Sequence, residues 1–142
     1  MGTRSTITFI EKWGEEVTPI TTVYQQYDGY LNGVGYTLAK WLSGKVIVNG
    51  ISEYRKEYAN GCGDLAAQFI SVIKDEIPGD IYIYPVECDK SGIDYNYYVV
   101  VDMDKRSINI YICEWNIEDP IFIGTPDEML EFINKEGDDS VC

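Results

Sequence analysis

Two glycine-rich stretches carry the residue types from which an anion site is most readily built. DGYLNGVG at residues 28–35 and NGCGD at residues 60–64 each precede a helical pattern. Glycines at a helix start leave backbone N–H groups free to meet an anion, where the helix dipole adds partial positive charge. Gly29, Gly33 and Gly35 from the first stretch, with Asn60, Gly61 and Gly63 from the second, are therefore candidate ligand contacts. Two such starts could converge on one phosphate-bearing small molecule, with Arg4, Gln26, Asp28 and Gln68 as accompanying polar groups. The spacing matches neither the Walker A pattern nor the dinucleotide Gly-x-Gly-x-x-Gly. The competing reading is structural: Asp28-Gly29 and Asn32-Gly33 supply turns, Gly35 allows close packing, Arg4 pairs with Asp28 or guards a sheet edge, and the glutamines bond backbone. Tyr24, Tyr27, Tyr30 and Tyr36 fit stacking on a base or sugar, or equally a half-buried sheet.

Other chemistries are narrower. The chain has no histidine, which removes Ser-His and Cys-His nucleophile pairs and the commonest transition-metal ligand. No catalytic residue is named; an enzyme here would work through carboxylates such as Asp28 or through a divalent cation. Cys62, Cys88, Cys113 and Cys142 are widely spaced, with no Cys-x-x-Cys pair, and read as small apolar residues. The acid pairs Asp102/Asp104 and Asp138/Asp139 lack calcium-loop spacing, so neither a metal site nor a cofactor is expected.

The net charge of −13 is unevenly placed. Residues 1–74 hold seven Lys/Arg and seven Asp/Glu; residues 75–142 hold four and seventeen. Such a half repels nucleic-acid phosphates, so direct nucleic-acid binding is not expected, and it favours basic partners or a solvated face. Apolar runs such as Tyr97–Val101 are strand-sized, short of the roughly 20 residues a membrane helix needs, and the first residues lack the basic-then-apolar pattern of a secretory signal. The expected setting is a cytosol.

The elements that must position these residues follow from periodicity. STITFIE and TPITTVYQQYD alternate as strands joined by a turn at Gly14; Val34, Leu38, Trp41 and Leu42 mark a helix ended by Gly44. KVIVNGI is a short apolar run ending in a turn, and SEYRKEYANGCG reads as loop. Leu65, Phe69, Val72 and Ile73 mark a second helix, stopped by Pro78-Gly79. DIYIYPV, YNYYVVVDM, SINIYICEW and PIFIG read as an antiparallel meander with turns at CDKSGID and MDKRS. Thr125 and Glu128 match a capping box with Pro126 at the first helical position, and Gly137 is the expected end of that helix. The order β-β-α-α-β-β-β-(β)-α predicts a single α+β domain over residues 1–137, a mainly antiparallel sheet with helices mostly on one face, followed by an acidic tail at 138–142. Its expected core holds Phe9, Val23, Leu38, Trp41, Leu65, Phe69, Val99, Ile110 and Phe132. Tyrosine-rich strands at a sheet edge leave room for pairing two copies.

GTRSTITF, VYQQYDGYLNGVGYTLAKWL and NGCGDLAAQF resemble segments of small, largely uncharacterised proteins of bacteriophages and large DNA viruses. Those proteins share a Gly-Thr-Arg opening, a Tyr-x-Gln-x-Asp-Gly-Tyr-x-x-Gly-x-Gly stretch and an Asn-Gly-x-Gly-x-Leu-Ala-Ala-Gln segment. The resemblance implies a viral accessory protein acting in a host cytosol; taken with the missing histidine and the two glycine-rich helix starts, the leading expectation is stoichiometric binding, sequestering a phosphate-bearing small molecule or occupying a host defence protein. Two alternatives stay open: an acidic nucleic-acid mimic that blocks a basic host protein, and a histidine-free enzyme.

Overall fold

The computed structural model describes residues 2–115 and 119–140, with side chains described up to Glu136. β1 (Ser5–Trp13) and β2 (Glu16–Gln25) form a hairpin across Gly14, whose φ of +58° suits the missing side chain. Pro19 is tolerated in β2 because it lies opposite the irregularity between Phe9 and Ile10. One wide turn of π type, Leu31–Gly35, leads into α1 (Tyr36–Ser43), which Gly44 ends as expected. Then follow β3 (Val46–Val48), β4 (Tyr58–Asn60), α2 (Gly61–Lys74), β5 (Ile81–Tyr84), β6 (Tyr95–Asp102), β7 (Ser107–Glu114), β8 (Phe122–Gly124) and α3 (Pro126–Ser140).

The molecule is the expected α+β domain, with a six-stranded sheet ordered β5-β2-β1-β6-β7-β8. Four expectations need correction. β5 does not join the meander: it pairs with β2 at the far edge, while β6 lies parallel to β1 in the centre. Residues 85–94, which include the supposed CDKSGID turn, cross between them on the face opposite the helices, where the Thr22 hydroxyl donates to Val86 O at 3.5 Å. Secondly, KVIVNGI and the supposed loop after it contribute β3 and β4, a separate parallel pair. Thirdly, α2 stops at Lys74, before Pro78, because Asp75 and Glu76 adopt left-handed φ of 45° and 59°. Fourthly, the α3 helix runs through Gly137 to Ser140.

Alternation sets the core. Ile7 and Phe9 of β1, Val23 of β2, Val99 of β6 and Ile110 of β7 share one sheet face and are fully buried against Leu38, Leu65, Phe69 and Met129 of the helices. Trp41 and Phe132 are only half-buried, packed against this cluster from its rim. Tyr97 is among the largest fully buried side chains, and it was not among the expected core residues. Its hydroxyl is satisfied by donating to Gly29 O at 2.9 Å, and burial holds its pKa well above the ordinary tyrosine range. Both reciprocal bonds of the capping box form: Thr125 N–H donates to Glu128 Oε1 at 2.8 Å, and Glu128 N–H to Thr125 Oγ1 at 3.2 Å. No helix among the described residues is long and apolar enough to cross a membrane.

Candidate functional site

The two glycine-rich helix starts lie toward opposite ends of β1. Gly29 packs on Ser5, at the beginning of the strand, whereas Gly61 and Cys62 meet Glu11, six residues further along. At about 3.3 Å per residue that separation is about 20 Å, beyond the reach of one phosphate group.

Nor are the N–H groups at these starts all free. Before α1, Gly33 N–H donates to Tyr30 O at 2.9 Å, Val34 N–H to Asp28 O at 2.8 Å and Gly35 N–H to Tyr30 O at 3.3 Å. These bonds require the tight path of the turn: Asp28 sits at φ 58°, and a Cβ on Gly33 would overlap the Asp28 carbonyl. A Cβ on Gly35 would come 3.0 Å from the Tyr97 hydroxyl oxygen, so this glycine serves close packing. At α2 the protein supplies its own anion. Glu11 Oε1 accepts from Cys62 N–H at 3.1 Å, Glu11 Oε2 accepts from Trp13 Nε1 at 3.2 Å, and Asp64 Oδ2 accepts from Asn60 N–H at 2.8 Å. An incoming phosphate would have to displace Glu11 from the Cys62 N–H. Glu11 was missed from sequence, although one signal marked it: the alternation of Ile7 and Phe9 puts an acid at the next inward position of β1.

The remaining candidates disperse. The Arg4 N–H donates to Asp94 Oδ2 at 2.8 Å and its guanidinium to Gly92 O, so its partners lie before β6 and not at Asp28. Arg4 and Gln26 line a cleft of about 570 Å³ with Tyr27 and Asp94. Burial raises the Tyr24 hydroxyl pKa, and nearby Arg4 opposes that rise. Asn60 and Gln68 line another cleft, of about 780 Å³, over β4 and α2. There Asn60 Oδ1 accepts from Gly50 N–H at 2.8 Å and Gln68 Nε2 donates to Tyr58 O at 2.9 Å, leaving Gln68 Oε1 buried with no partner among the described residues. Gly63 has open space around it.

Asp28 and Gly33 open on a cleft of about 440 Å³ bounded by Tyr30, Tyr36 and Asp80. A second cleft, of about 430 Å³, adjoins it: Tyr30 and Asn32 line both. Its other walls include Tyr95, Phe132, Glu114 and Glu136, none of them a site candidate from sequence, where Phe132 is expected only in the core. Tyr95 and Glu114 are register partners on β6 and β7, and their side chains reach the helix side of the sheet where α3 brings Phe132 and Glu136. The negative field there is felt by Tyr95, whose hydroxyl pKa is raised by burial and further by Glu114 and Asp94. Among the described residues four carboxylates and no lysine or arginine line the two clefts.

Burial pushes the Cys62 thiol up to about 12, with Glu11 adding to the effect, so it stays neutral and unreactive near neutral pH. Cys113 is raised in the same direction by burial and by Asp119. Cys142 and the Asp138/Asp139 side chains lie outside what is described. Of the other acid pair, Asp102 Oδ1 accepts from the Asp104 and Lys105 N–H groups, and an Asp104 carboxylate oxygen accepts from Gly14 N–H, so both close turns. Among the described residues no group of three or more Cys, Asp or Glu is gathered in a way that could hold a metal ion. Comparison of the chain with protein-family models, with curated proteins and with solved structures found no match.

Proposed function

We propose that the protein acts by stoichiometric binding, its excess of carboxylates drawing a basic protein partner. The observation that carries this reading is uncompensated charge. Of the seventeen Asp and Glu in residues 75–142, only Asp102 lies within 4.0 Å of a cationic side chain among the described residues, in its pair with Lys12. The field of so much unpaired negative charge draws a basic partner and is screened by salt. A phosphate-bearing ligand at the glycine-rich helix starts is the weaker reading, because Glu11 and the Tyr30 and Asp28 carbonyls already accept N–H groups there. The resemblance to phage and large-DNA-virus proteins makes a host protein the natural partner.

The test is binding of the purified protein to poly-L-lysine and to a panel of basic nucleic-acid-binding proteins, beside a thermal-shift panel of nucleotides and sugar phosphates. The expected result is binding of basic partners that weakens steeply from 50 to 300 mM salt, with no phosphate compound raising the melting temperature. A phosphate compound that stabilises the protein, with no basic partner bound even at low salt, would overturn the reading.

A further inference from the structure

We infer that the cleft over β4 and α2 binds a nucleobase or nucleoside, recognised through the amino group on its ring. This ligand is a second one, independent of the basic protein partner. The cleft encloses about 780 Å³, more than the three other clefts described above. Asp64 and Gln68, four residues apart on α2, share one helix face and line it together. Ile51, Tyr54 and Tyr58 add apolar and aromatic surface. The Arg55 guanidinium lies 5.7 Å over the Tyr58 ring, held by Glu53 Oε1 at 3.0 Å and Glu57 Oε1 at 3.7 Å. Aromatic rings and guanidinium planes are the surfaces on which bases stack.

The Gln68 amide distinguishes this cleft from a surface hollow. Its Nε2 donates to Tyr58 O at 2.9 Å, which fixes the orientation of the amide, because the reverse would set two carbonyl oxygens against each other. Oε1 is thereby left buried with no partner among the described residues, where a buried acceptor normally has one. The amino group of a base carries the N–H that this oxygen lacks, and the Asp64 carboxylate, one turn back on the same face, accepts another. Two acceptors beside stacking surfaces suit a flat ring with donors on its edge. To reach Oε1 the ligand displaces side chains of residues 49–56, all of them exposed; Tyr54, at 98% exposure, has no packing to lose. The charged lining does not select a phosphate. Glu53 and Asp64 offset Arg55 and Lys56, Arg55 is engaged by Glu53 and Glu57, and the net charge of −13 repels a dianion. An uncharged nucleoside meets no such repulsion.

The experiment is isothermal titration calorimetry of the full chain with adenosine, guanosine and cytidine, each beside its counterpart without the amino group: purine riboside, inosine and uridine. At least one amino nucleoside should bind, its counterpart about tenfold more weakly, and its 5′-monophosphate more weakly than the nucleoside itself. Gln68→Met keeps the length of the side chain without the acceptor and should weaken binding about tenfold; Asp64→Asn should weaken it several-fold. Glu131→Gln, at an exposed position on α3 outside the cleft, should change affinity less than about twofold. Melting temperatures taken without ligand show that each variant folds. Should Gln68→Met fail to fold, because Tyr58 O loses its donor, Asp64→Asn and the paired nucleosides still decide the matter. No binding of any nucleoside up to about 1 mM, equal affinity for the amino-free counterparts, or folded Gln68→Met and Asp64→Asn variants with full affinity would each overturn the inference. So would monophosphates that bind about tenfold more tightly than their nucleosides, since the phosphate would then be what is recognised. The basic-partner reading stands or falls separately, on the salt dependence of poly-L-lysine binding.

Discussion

Glycines that look alike in sequence differ sharply in what surrounds them. At Gly33 an added methyl meets the Asp28 carbonyl, a backbone atom that cannot rotate away, so Gly33→Ala should destabilise the fold by roughly 1–3 kcal/mol. Gly63 lies within α2 with nothing nearby, so Gly63→Ala should stabilise by roughly 0.4–1 kcal/mol through a less flexible unfolded chain and better helix propensity. Urea midpoints of the two variants check both signs. Cys62 and Tyr97 make a second prediction, about pH. Both have pKa values raised in the folded state, Cys62 from about 9 to about 12, so the folded chain keeps protons that the unfolded chain releases in alkali. Their contribution to stability is fully present below pH 9 and is lost as pH rises toward 12. Denaturation midpoints should therefore fall between pH 8.5 and 10.5, and Cys62→Ala should flatten that fall; a midpoint constant over this range would contradict the burial of both groups.

At the scale of elements, local chemistry was the most legible. Thr125-Pro126 with Glu128 predicted the start of α3, and the structure forms both bonds of the box. Thr125→Ala should cost about 1 kcal/mol, measured by thermal or urea unfolding, and Glu128→Gln should cost less because an amide oxygen can still accept from Thr125 N–H. Positions of β1, β2, β6 and β7 were legible because period-two alternation is written in the chain itself. Their neighbours were not. Nothing local distinguishes a hairpin turn from the connection at residues 85–94, so β5 was placed beside β6 when it pairs with β2. The three-residue strands β3 and β4 carry too few residues to show a period, and they exist because each completes the other's hydrogen bonds.

At the scale of the whole molecule, charge segregation leads to the prediction most open to failure. Affinity for basic partners should fall steeply with ionic strength, whereas a shape-dominated pocket for a neutral ligand would keep most of its affinity; titrations at 50, 150 and 300 mM salt separate the two. The charge asymmetry, the absence of histidine and the α+β class were determined by the sequence alone, because composition and short-range periodicity do not depend on where the chain goes in space. Only the tertiary structure decided that the glycine-rich helix starts stand apart along β1, that Glu11 accepts the Cys62 N–H at the start of α2, and that Tyr30, Tyr95, Glu114 and Glu136 line one cleft. Those facts depend on contacts between residues as far apart as Tyr30 and Glu136, set by strand order and helix packing, and no spacing within a single stretch of chain encodes them.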